Sequence, residues 1–173
     1  MADTWRSVGI GVTFGNLKSM LDVFNATGSG RILRVYRAYQ FNNGLSAVTG
    51  VLTTMRLYRS IASSGGTVIT PVAHDSTNAA LPAQVTSGFG RTVTDSDLFR
   101  QYVWSNDEPV VSGTTLDEWE LLVPFAEIWN AGYADANIQP ITCRENQGFH
   151  IKHQGSSAVG SNDFEIEFTN SAT

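Results

Sequence analysis

Asp163-Phe164-Glu165-Ile166-Glu167-Phe168-Thr169 is the stretch that decides how this chain is read. Side chains of an extended chain point alternately to its two faces. Phe164, Ile166 and Phe168 therefore share one face, and Asp163, Glu165, Glu167 and Thr169 the other. That is the pattern of a half-buried strand. The apolar face belongs in a core, and the acidic face belongs to solvent or to a basic partner.

The same period recurs upstream. Leu33, Val35, Tyr39 and Phe41 fall on one face against Arg34 and Gln40, and Arg37 breaks the apolar row, so a register shift is expected there. Val51, Met55, Leu57 and Ile61 form another face, opposite Thr54, Arg56 and Ser60. Turn chemistry separates the runs: Thr27-Gly28-Ser29-Gly30, Asn42-Asn43-Gly44, Ser63-Ser64-Gly65-Gly66, Ser87-Gly88 and Gly155-Ser156-Ser157. Short strands punctuated this way predict an all-β chain of about eight to ten strands, the number that a single jelly-roll β-sandwich needs. Two stretches resist the pattern. Residues 74–94 are rich in Ala, Thr, Ser and Gly and read as an extended loop or hairpin outside the core. Thr115-Leu116-Asp117-Glu118-Trp119-Glu120-Leu121-Leu122 fits a capped helix ended by Pro124. It also fits a turn followed by a strand with Leu121, Val123 and Phe125 alternating, which is the reading preferred here.

Residues 1–18 read as an N-terminal arm or extra strand, and residues 19–173 as the jelly-roll domain. Val8, Ile10, Val12 and Phe14 fall on one face of an extended chain, with Gly9, Gly11 and Thr13 on the other, and Trp5 lies just upstream. A flat strand with one apolar face needs a partner strand, in its own sandwich or on a neighbouring subunit. Trp5, Val8, Ile10, Val12 and Phe14 are thus the candidate interface residues.

Composition narrows the function. The 173 residues are 42% hydrophobic and 16% charged, a folded protein of one domain or a domain with an arm. A net charge of −5 argues against nucleic acid as the main partner, although Arg31, Arg34 and Arg37 approach a local basic patch. No apolar run reaches the ~20 residues of a membrane helix. The start, Met1-Ala2-Asp3-Thr4-Trp5-Arg6, lacks the pattern of a secretory signal, so synthesis in a reducing cytoplasm is expected.

Candidate chemistry is sparse, and no catalytic, cofactor or metal site is expected. Cys143 is the single cysteine, so it has no disulfide partner within the chain and reads as a buried thiol. Gly9-Ile10-Gly11 and Thr13-Phe14-Gly15-Asn16 lack the Lys-Ser/Thr of a phosphate loop. His150 and His153 would share a helix face, but the alternation of Phe149 and Ile151 with His150 and Lys152 says strand, which sends the two rings to opposite faces. His74 next to Asp75 suggests a loop hydrogen bond. Asp95, Asp97, Asp107 and Glu108 are carboxylates that a calcium site would use, but no EF-hand glycine or closing glutamate accompanies them. Trp104, Trp119 and Trp129 read as core, with an interface or glycan platform as the alternative; Trp5 suits that alternative best.

Several strings carry a family resemblance. They are Phe24-Asn25-Ala26-Thr27-Gly28-Ser29-Gly30-Arg31-Ile32-Leu33-Arg34-Val35-Tyr36, Val48-Thr49-Gly50-Val51-Leu52-Thr53-Thr54, Asn78-Ala79-Ala80-Leu81-Pro82 and Trp104-Ser105-Asn106-Asp107-Glu108-Pro109. Arg144-Glu145-Asn146-Gln147-Gly148-Phe149 and Phe164-Glu165-Ile166-Glu167-Phe168-Thr169 close the set. Over residues 19–169 the chain resembles tailed-bacteriophage capsid decoration, or cement, proteins of the jelly-roll type. The resemblance implies a non-enzymatic homo-oligomer on the outer capsid surface of the virion. It would bridge major capsid protein subunits, as a homotrimer by first choice and a homodimer by second. No residue role transfers with it. The alternative expectation is a virion fibre head or glycan-binding jelly-roll module, marked by a shallow aromatic groove.

Overall fold

The computed structural model describes residues 3–42, 51–106, 125–131, 138–155 and 160–173. Twelve strands occur among them: β1 (Asp3–Thr13), β2 (Ser19–Asn25), β3 (Arg31–Asn42), β4 (Val51–Ser64), β5 (Thr67–Ile69), β6 (Val72–Ala73), β7 (Val85–Phe89), β8 (Thr92–Asn106), β9 (Phe125–Asn130), β10 (Ile141–Cys143), β11 (Gln147–Gln154) and β12 (Ser161–Ala172). They form two antiparallel sheets, packed face to face as a β-sandwich. One runs β10-β3-β12-β1-β6, with β9 also pairing β3; the other runs β5-β7-β2-β11-β4-β8. The core between them contains Leu21, Val23, Leu33, Val35, Met55, Leu57, Phe149, Ile151, Phe164, Ile166 and Phe168, all buried.

The pairings have a simple logic. β1 pairs β12, β2 pairs β11, β3 pairs β9 and β10, and β4 pairs β8. The first half of the chain thus lies against the second half in reverse order, as one long hairpin. Two further pairings, β3 with β12 and β4 with β11, roll that hairpin into two layers. The strands beyond the expected eight to ten come largely from the insert β5–β7, where β7 pairs β2, β5 pairs β7 and β6 pairs β1. This corrects the reading of residues 74–94 as a loop or hairpin outside the core. Residues 85–89 are a sheet strand with Val85 and Ser87 buried, and β8 already begins at Thr92.

Alternation holds where the ladder is regular and fails at bulges. In β12, Phe164, Ile166 and Phe168 are fully buried, as their spacing predicts. In β3 a register shift leaves Tyr36 as the extra residue between Val35 and Arg37, one position from where Arg37 signalled it. Beyond it, Ala38 and Gln40 turn inward and are fully buried, so Tyr39 and Phe41 do not share the face of Leu33 and Val35. Gln40 is accommodated by hydrogen bonds to Asn162 (2.9 Å) and from Tyr102 (2.7 Å). In β4 the shifts fall between Leu57 and Ala62, which leaves Ile61 52% exposed and Ser60 buried, the reverse of their expected faces.

The N-terminal segment is a strand of the sandwich, not an arm. β1 lies between β12 and β6 and pairs β12 from Asp3 to Thr13. Its faces also differ from the expected ones. Trp5, Ser7 and Gly9 are buried, whereas Ile10 is 70% exposed. Ile10 and Gly11 together oppose a single residue of β12, and this bulge returns Val12 to the core at 1% exposure. Gly11 sits at φ 62°, a backbone state that favours glycine, and its N–H donates to the Asp163 carboxylate at 2.7 Å. Of the five candidate interface residues, Trp5 and Val12 are core, Val8 and Phe14 are half-buried, and Ile10 alone projects into solvent.

Candidate functional site

Four sequence-distant segments meet at one side of the sandwich. β4 supplies Arg59, β8 supplies Phe99, β9 supplies Trp129, and the chain around β10 supplies Gln139 to Thr142, Arg144 and Gln147. They line an open cleft of about 440 Å³. Bulges in the β4–β8 ladder aim its two central side chains. Phe99 is the extra residue where Leu57 pairs Arg100 and Tyr58 pairs Leu98, and Arg59 lies in the next irregular step. A bulge redirects a side chain that a regular ladder would place elsewhere.

Arg59 is held on several sides. Its Nε donates to Asp97 Oδ2 at 2.8 Å, and its Nη1 to the Thr142 carbonyl and to Gln147 Oε1. Its guanidinium lies 5.4 Å from the centroid of the Phe99 ring, within cation–π range. Phe99 in turn faces Trp129 at 6.2 Å and 46°, and the Trp129 indole N–H donates to the Val35 carbonyl at 3.4 Å. The result is a fixed aromatic wall beside a fixed cation. Arg144 is exposed, and Gln147 Oε1 accepts from its backbone N–H at 3.0 Å.

A second polar constellation lies on the outer face of the other sheet. His150 and Asp22 are cross-strand partners there, on the side opposite the core residues Phe149, Ile151, Leu21 and Val23. The far end of the β4–β8 ribbon folds across them, because Ser63 of β4 donates to Asp22 Oδ2 at 2.7 Å although β11 separates their strands. Arg91 completes the cover with Nη1 3.3 Å from Asp22 Oδ2. Gly88 makes room for it, since a Cβ there would overlap the Thr67 carbonyl and lie 2.6 Å from Arg91 Nε. Nearby, Asp95 binds His150 Nε2 (3.1 Å) and Lys152 Nζ (2.7 Å), and Tyr58 stacks on His150 at 5.5 Å. His150 is fully buried, so no substrate reaches it; the cluster fastens the ribbon to the sheet.

The other residues raised by the sequence are dispersed. His153 faces Phe14 and the Gly15 carbonyl, away from the partners of His150. Asp95 and Asp97 serve different cations, Lys152 and Arg59. Among the described residues no three His, Cys, Asp or Glu side chains come together as metal ligands. Asp107, Glu108 and Trp119, with the 115–122 segment, lie outside the described residues. Asp75 accepts from Thr77, not from His74. Cys143 is buried, and desolvation pushes its thiol up to about 12, which leaves it unreactive. Trp104 is 9% exposed and donates to Asn42. Among the described residues no helix is long and apolar enough to cross a membrane.

No family model, curated protein or solved structure matches the chain.

The ribbon lock carries a pH signature. The hydrogen bond from His150, then Lys152, hold the Asp95 carboxyl at about 2 against the opposing effect of burial. A depressed carboxylate stabilises the fold above its unfolded value near 3.8, and that contribution disappears as pH falls through about 2. Asp22 has the opposite sign. Burial raises it, with Arg91 only partly offsetting, so its ionisation costs stability as pH rises through its folded value. Asp95→Asn is expected to lower unfolding stability by about 1–2 kcal/mol at neutral pH. The gap to wild type should close towards pH 2, as followed by thermal unfolding across that range. A gap independent of pH would mean that the carboxylate charge is not what holds the ribbon.

Proposed function

We propose that this chain is a structural virion protein that decorates a bacteriophage capsid and stabilises it by bridging major capsid protein subunits. The observation that carries the reading is the rolled-hairpin strand order. It is the order expected of a jelly roll, an architecture common among viral capsid domains. It supports the resemblance of residues 19–169 to jelly-roll cement proteins. With β1 paired inside its own sheet, assembly contacts fall to outer surfaces. Among the described residues β8 is an edge strand, and Leu52 and Val103, diagonal neighbours across the β4–β8 pair, are 72% and 61% exposed. Exposed apolar side chains grouped on one surface suit association with another protein. Copies placed by capsid symmetry meet around local axes, so a closed trimer is the first choice and a dimer the second. Purified protein added to shells that lack it should appear as symmetric outer density by electron microscopy and should raise the temperature of shell disruption. Shells that gain neither density nor stability would rule the role out.

The cleft favours a second reading, a virion fibre head or glycan-binding module. Jelly rolls also serve as lectin domains, and a shallow cleft with aromatic walls and a few fixed polar groups is how such sites hold small ligands. Binding on a glycan array by the full chain tests it; silence across the array would remove it.

A further inference from the structure

We infer that the cleft at Arg59, Phe99, Trp129 and Arg144 takes an acidic saccharide residue, a sugar ring bearing a carboxylate. The inference rests on the glycan-binding reading and specifies its ligand. Charge comes first. The chain carries −5 overall, yet among the described residues this cleft gathers two guanidinium groups, with Asp97 paired to that of Arg59. Among the described residues that leaves one positive charge, Arg144, without an ion-pair partner, which matches a monoanion better than a phosphate dianion.

Geometry gives the two cations different roles. Arg59 is immobilised through Nε and Nη1, and its Nη2 has no hydrogen-bond partner among the described residues. It is a pre-oriented donor whose ordering cost is already met within the fold. Arg144 makes no ion pair among the described residues and is exposed, so its guanidinium can close on a bound carboxylate. Gln147 uses its carbonyl oxygen on Arg59 and on the Arg144 backbone, which leaves its amide N–H group as the donor for a sugar hydroxyl. Trp129, half-buried at the cleft wall beside Phe99, offers an indole surface for the C–H face of a pyranose, while Arg59 covers the Phe99 ring. The cleft volume is in the small-ligand range, enough for about one or two sugar rings and short for an extended peptide.

The test titrates the full chain with glucuronate- and sialate-terminated oligosaccharides, their methyl esters, neutral hexose oligomers and a short peptide ending in glutamate. Binding is followed by calorimetry and by chemical-shift mapping. The acidic sugars should bind, with shifts centred on Trp129 and Arg144, and the methyl esters should bind about tenfold more weakly or worse. Arg144→Gln should weaken the acidic sugars by about tenfold to a hundredfold. Its exposed position leaves the fold intact, which an unchanged melting temperature would verify. Trp129→Ala should remove binding altogether. Because that indole also anchors to Val35, the Arg144 variant carries the decision if Trp129→Ala fails to fold. Equal binding of neutral sugars, indifferent to Arg144→Gln, would overturn the acidic specificity and leave the glycan reading standing. Binding of no sugar would overturn both, and capture of the peptide alone would replace the ligand class.

Discussion

Deletion of residues 1–18 is expected to yield a chain that does not fold. β1 is bonded along β12 from Asp3 to Thr13, and it sends Trp5 and Val12 into the core at 7% and 1% exposure. Removing it strips one side of β12, the strand that carries Phe164, Ile166 and Phe168. A fully buried side chain of this size contributes about 1.5–3 kcal/mol. Two such losses, with the opened core and the unpaired ladder, are comparable to the whole stability of an ordinary domain, about 5–15 kcal/mol. Loss of the cooperative thermal transition and of amide dispersion in NMR spectra would show it. A truncated protein that stays folded and monomeric would return the segment to the role of an assembly arm.

That expectation differs from the one the bare alternation suggests, and the reason is local. Val8, Ile10, Val12 and Phe14 have period two, but the extra residue at Ile10–Gly11 resets the period, so the row is split between core and surface. The same event at Tyr36 exchanges the faces of Tyr39 and Gln40, and the shifts around Arg59 exchange Ser60 and Ile61. Fold class survives these errors, because alternation and turn chemistry identify strands whatever their parity. Side-chain direction does not survive them. β12 was legible from Asp163 to Phe168, because the extra residues at its shifts sit on the neighbouring strands, Tyr36 on β3 and Ile10–Gly11 on β1.

The cleft was hidden for a related reason. Arg59 and Phe99 lie in the irregular steps of one ladder, and Trp129 and Arg144 reach them from β9 and the β10–β11 turn. Nothing in their spacing along the chain joins them. Trp129 alone carried a signal, as a tryptophan that could be core or platform, and it is half-buried at the cleft wall. The Asp95–His150–Lys152 contact was equally silent, since it depends on the ribbon folding back over β11.

Ile166→Asp should also abolish folding, and its partner substitution makes that result informative. Ile166 is fully buried between Phe164 and Phe168, and its cross-strand partners are Ser7 and Ala38, neither of which supplies a cation. An ionised aspartate there is a buried charge without a counterion, which costs several kcal/mol even if the group takes up a proton instead. Glu165 is one residue away on the opposite face, paired with Arg6 at 3.4 Å, with side-chain exposures of 21% and 40%. An ion pair that exposed contributes little, so Glu165→Gln should stay within about 0.5 kcal/mol of wild type. Urea unfolding of the two variants side by side reads the difference directly. The contrast exists only if the strand presents Ile166 inward and Glu165 outward. Two variants of similar stability would mean that the β1–β12–β3 register is shifted by one residue, and the core assigned to this sheet would have to be rebuilt.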